Sequence, residues 1–148
     1  MKRYLIFFIL VILSTAVMAY SVNATTINVC HCLCSCDFTS IQKAVYKARR
    51  GDVIEIAGGT YHENLVIDKS ITLKGPKLRR AVVESLNASQ PVVVVGPSEI
   101  KANLENLVIT RKTSSKPKET SVKEFSAGIM VIGEGSVSIK DTVIEMNY

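Results

Sequence analysis

The sequence predicts an all-β chain wound as a solenoid, a parallel β-helix of about three coils opened by an N-terminal amphipathic capping helix. Residues 51–75, GDVIEIAGGTYHENLVIDKSITLKG, hold three short β-rich runs at 53–56, 65–67 and 71–73, separated by Gly58-Gly59 and by Asp68-Lys69-Ser70. Runs of three or four residues so punctuated suit neither a helix bundle nor a hairpin meander. The same order of runs recurs further on: 53–56 is echoed by 92–95 and 129–132, 65–67 by the segment ending at Leu104 and by 137–139, and 71–73 by 107–109 and 143–144. An acidic or amide residue stands in the second corner each time, at Asp68, Asn106 and Asp141. Such residues tolerate left-handed backbone, and stacked they form a ladder at a corner.

The helix precedes these runs. In DFTSIQKAVYKARRG, Phe38, Ile41, Val45 and Ala48 recur at helical spacing, with Thr39 as the expected cap and Gln42 completing a capping box. Arg49 and Arg50 complement the negative end of the dipole, and Gly51 supplies the stop. A single amphipathic helix needs a surface, and the exposed first layer of a solenoid core provides one.

The organisation read from this is a signal peptide at 1–24, a cysteine-rich strand and capping helix at 25–50, and coils from 51 to 148 that stop without a polar cap, as the front part of a longer protein would. The signal is read from Lys2 and Arg3, an apolar run at 4–13 and small residues around Ala19 and Ala24. If left uncleaved, the segment would serve as an anchor. The expected location is secreted, periplasmic or cell-surface. Of 18 basic residues two belong to this signal, against 13 acidic ones in all, so charge does not argue for nucleic acid. Trp is absent and aromatics are few, which removes the platforms on which single-stranded bases stack.

All four cysteines, Cys30, Cys32, Cys34 and Cys36, fall together with His31 between them. In an exported chain they read as disulfides with three pairings open. The alternative is a soft metal, Cu(I) or zinc, although CxCxCxC matches none of the usual zinc spacings. No other cofactor is expected.

Two excursions carry cations. Residues 74–91 bear Lys74, Lys77, Arg79 and Arg80, and residues 110–127 bear Arg111, Lys112, Lys116, Lys118 and Lys123. Insertions at one corner of successive repeats emerge on one side, so Lys74, Lys77, Arg79, Arg80, Arg111 and Lys112 are the expected binding residues for an anionic polymer. Solvated loops that keep the protein soluble are the other reading. His62 has Glu63 beside it, but the pattern places no nucleophile near, and the glycines at 58, 59, 133 and 135 do not open helices as phosphate loops do.

From Phe38 to Gly75 the chain resembles the opening of right-handed parallel β-helix proteins of the pectin-lyase-like superfamily: a capping helix, Gly-Asp, an apolar strand, a Gly-Thr-Tyr-x-Glu turn and a Lys-Ser-Ile-Thr-Leu-x-Gly strand. The resemblance makes Gly51, Asp52, Gly59, Tyr61 and Glu63 turn and packing positions and none of them catalytic. Pectin methylesterases open similarly, as do β-helix surface proteins with carbohydrate-binding and sugar-hydrolysis repeats. The esterases use glutamines, aspartates and an arginine on later coils, whereas Ser126 stands here where a glutamine is expected. Related lyases need clustered acidic calcium ligands and a base, and Asp141 with Glu145 is the only late acidic pair. The expectation is an exported, non-catalytic protein binding carbohydrate or an anionic envelope polymer. The alternative is the front of a pectinesterase- or lyase-like enzyme with its site on further coils. End-to-end contact at the last coil is a further expectation.

Overall fold

The computed structural model describes residues 23–32, 35–87, 90–112 and 127–147. The elements are β1 (Thr26–Val29), α1 (Ile41–Lys47), β2 (Val53–Ile56), β3 (Gly59–His62), β4 (Leu65–Ile67), β5 (Thr72–Lys74), β6 (Ala81–Glu84), β7 (Val93–Val95), β8 (Lys101–Glu105), β9 (Leu107–Lys112), β10 (Ile129–Val131), β11 (Ser136–Lys140) and β12 (Val143–Asn147). They form three separate parallel sheets, ordered β1-β2-β5-β8-β11, β12-β9-β6-β3 and β10-β7-β4. From β2 onward consecutive strands are dealt in rotation to the five-, four- and three-stranded sheets.

This corrects the fold class expected from the sequence. In place of a right-handed parallel β-helix of about three coils, the chain forms three distinct parallel sheets and one short helix, and no sheet closes on itself among the described residues. The equivalences between runs also change. Val53 pairs with Thr26 and Thr72, in the five-stranded sheet, whereas the run at 93–95 pairs with Leu65–Ile67 and Ile129–Val131. The physical reason is that alternation has period two: it says which side chains of a strand are buried and nothing about which strand lies beside it.

Within each sheet the buried positions stack in register. Ile27, Ile54, Leu73, Leu104 and Ile139 form one column of the five-stranded sheet. Tyr61, Val83 and Ile109 form one of the four-stranded sheet, and Leu65, Val93 and Ile129 one of the three-stranded sheet. Most belong to one apolar cluster. At the last rung, Val131, Ile139 and Ile144 are nearly half exposed.

The helix is shorter than its periodicity suggests and is capped differently. Ser40, not Thr39, is the N-cap, with its side chain accepting from Lys43 N. The remaining amide donors are met from outside the helix, since the Glu63 carboxylate accepts from Ile41 N at 3.0 Å, Gln42 N at 2.9 Å and the Ser40 hydroxyl at 3.0 Å. Gln42 is thereby released from the expected box. Its side-chain amide bonds both backbone groups of Val66, covering the edge of β4. Ile41, Ala44 and Val45 are buried as the helix packs on β1, β2 and β4. Arg49 and Arg50 lie beyond its end, and Gly51 turns the chain at φ +91.

Candidate functional site

The outward positions of the five-stranded sheet carry its chemistry. Asn28, Glu55, Lys74, Glu105 and Lys140 stand in register on five adjacent strands. Beside them run Thr26, Val53, Thr72, Asn103 and Ser138. Thr72 Oγ1 accepts from Asn103 Nδ2 at 3.2 Å, so this second column is partly tied together by its own side chains. In the first column Lys74 Nζ reaches Glu55 Oε1 at 3.0 Å. Among the described residues that is the only neighbouring pair of the column that closes, leaving half-buried Glu105 and exposed Lys140 as separate charges.

One end of this face becomes a groove of about 480 Å³, lined among others by Asn28, Cys36, Glu55, Lys74, Lys77 and Asn106. Its walls follow from the chain's turns. Gly75 lies so close to the Asn106 carbonyl that a β-carbon there would collide with it. Asn106 and Asp141 adopt left-handed backbone, φ 54 and 51, directly after the paired residues Glu105 and Lys140. The corner ladder is thus continued by Gly75, the residue after Lys74, and Asp68 has no part in it. On the opposite wall, Asn28 N donates to Asp37 Oδ2 at 2.7 Å, and a Cys30–Cys36 disulfide holds the segment that brings Cys36 to the groove.

That disulfide resolves one pairing left open by the sequence. Cys32 is also disulfide-bonded, and Cys34 lies outside the described residues. Cys30, Cys32 and Cys36 are thus all in disulfides, and no group of three candidate metal ligands occurs among the described residues. A disulfide is compatible with an extracellular location. The expected signal segment lies outside the described residues.

Of the six expected binding cations, Arg111 does not face solvent. Lys74 and Lys77 line the groove, and Arg79 and Arg80 follow, exposed, on the connection to β6. Arg111 is buried at 7% exposure with its Nε unpartnered among the described residues, because it continues the inward alternation of Leu107 and Ile109 on β9. Lys112 closes that strand. Lys116, Lys118 and Lys123 lie outside the described residues.

Asp52 is buried, with Oδ1 accepting from Thr25 N at 2.9 Å and Oδ2 from Arg49 N at 2.7 Å. Gly59, at φ +151, leaves room for the His31 imidazole, which stacks on the Tyr61 ring with centroids 4.5 Å apart. Tyr61 donates its hydroxyl to the Ala57 carbonyl at 2.9 Å, and burial, with the Glu63 carboxylate adding to it, raises its pKa. His62 is in a strand instead of a turn, and its Nδ1 faces Glu84 Oε2 at 3.1 Å while Glu63 serves the helix.

The groove offers amides, a cation and a carboxylate. Among the described residues its lining holds one carboxylate, that of Glu55, and no hydroxyl or imidazole. Such a surface offers hydrogen bonds and charge to a ligand. Asn28, Glu55, Glu105, Asn103 and Lys140 escaped the sequence reading because only the strand register brings them together. Compared with known protein families and with curated proteins, the chain matches none. The resemblance to the pectin-lyase-like superfamily rests on the motif at 38–75 alone.

Proposed function

We propose that this is an exported, non-catalytic protein that binds carbohydrate or an anionic envelope polymer along the outward face of its five-stranded sheet. The observation that carries the reading is the groove at one end of that face, where Lys74 and Lys77 meet Asn28 and Asn106 beside the exposed Arg79 and Arg80. Amides suit sugar hydroxyls, and cations suit carboxylate or phosphate groups on a polymer. The disulfide and the signal-like first residues support export. The test is retention of the purified protein on an immobilised polyuronate. Binding is expected at low ionic strength and weakens as salt screens the cations. Replacing Lys77, Arg79 and Arg80 together with alanine is expected to cost about ten-fold in affinity, or ~1.4 kcal/mol. Absence of retention on any carbohydrate, or retention indifferent to both salt and the triple substitution, would overturn the proposal.

A further inference from the structure

The charges of one column of the sheet face alternate strand by strand, Glu55, Lys74, Glu105, Lys140, with Lys101 exposed on the same strand as Glu105, four residues along it. Adjacent strands are about 4.8 Å apart, so like charges recur at roughly 9.6 Å along the face. That interval is comparable with one disaccharide of an extended glycan. The neighbouring column supplies Thr72, Asn103 and Ser138, whose hydroxyl and amide groups can meet sugar hydroxyls on the strands of Lys74, Glu105 and Lys140, while Val53 stands beside Glu55. No outward position of the sheet is aromatic, so its recognition rests on charge and hydrogen bonding and not on stacking against neutral sugar rings. The column is also poorly matched to a polymer bearing one kind of charge. A polyanion lying on Lys74 and Lys140 must pass Glu105 between them, where like-charge contact disfavours it.

Resting on the polymer-binding reading above, we propose that the ligand is an extended glycan with a disaccharide repeat of alternating character, a uronate followed by an amino sugar, laid across the strands in step with this column. The uronates face Lys74 and Lys140, and the amine donors face Glu105 and Glu55. Lys74 and Glu55, already bonded to one another, exchange that contact for the ligand's charges. Glu105 and Lys140, with no such contact to break among the described residues, determine the choice of polymer.

The experiment compares affinities of the full protein for an alternating uronate–hexosamine copolymer and for a homopolyuronate of equal length. The copolymer is expected to bind roughly five- to ten-fold more tightly at low ionic strength, as two exposed ion pairs would give. Glu105→Gln should weaken copolymer binding and strengthen homopolyuronate binding by roughly three-fold each, and Lys140→Gln should weaken both. Circular dichroism on each variant verifies the fold. Equal affinity for the two polymers, or an unchanged ratio in Glu105→Gln, overturns the repeat while leaving polymer binding intact. Failure to retain either polymer also overturns the repeat, and the polymer-binding reading falls with it only where no other carbohydrate is retained.

Discussion

Tyr61 shows how one residue joins packing to protonation. Its ring fills the core column with Val83 and Ile109, His31 stacks on it, and its hydroxyl bonds Ala57 O. Burial is the larger cause of its raised pKa and the Glu63 carboxylate the smaller. In the unfolded chain the phenol ionises near its ordinary value of 10.0, below the folded value. The stability it contributes is therefore complete below pH 10 and is lost as pH rises through the folded pKa. Urea unfolding measured from pH 9 upward is expected to show a falling midpoint in the natural protein and a flatter profile in Tyr61→Phe; equal slopes would deny the linkage. The sequence marks Tyr61 as a packing residue through its motif, but its partner His31 is separated from it by the whole helix and β2.

At the scale of elements, α1 is held less by its own sequence than by two reciprocal contacts. Glu63 caps the helix, and Gln42 of the helix caps the edge of β4. A helix of seven residues is too short to be stable alone, so these contacts and its buried face decide whether it forms. Gln42→Ala removes both bonds to Val66 and is expected to cost about 1 to 2 kcal/mol, whereas Lys43→Ala on the exposed side should change stability by less than about 0.5 kcal/mol. Denaturant titration of the two variants distinguishes them. The existence and buried face of the helix were readable from the spacing of Ile41 and Val45. Its cap was not, because the best carboxylate came from beyond the strands that follow, a choice that local capping patterns cannot anticipate.

Across the whole molecule, stability resides in columns that run through every strand of a sheet. Leu73 sits in the middle of one, fully buried between Ile54 and Leu104, while Ile139 at its last rung is 48% exposed. Leu73→Ala is expected to destabilise by about 2 to 5 kcal/mol through lost burial and a cavity, and Ile139→Ala by less than about 1.5 kcal/mol. Thermal unfolding of the pair measures the difference, and similar losses would mean that the column does not carry the load assigned to it. From the sequence alone came the β-rich character, the short runs themselves, the single helix and the presence of disulfide-forming cysteines, since strand preference, helical spacing and residue chemistry are local properties. Tertiary structure decided which strands are neighbours, that Cys30 joins Cys36, that Arg111 turns inward and that Glu55, Lys74, Glu105 and Lys140 share one face. Those outcomes depend on register between segments far apart in the chain, and register is settled by the burial of all the columns together, which no short stretch of sequence encodes.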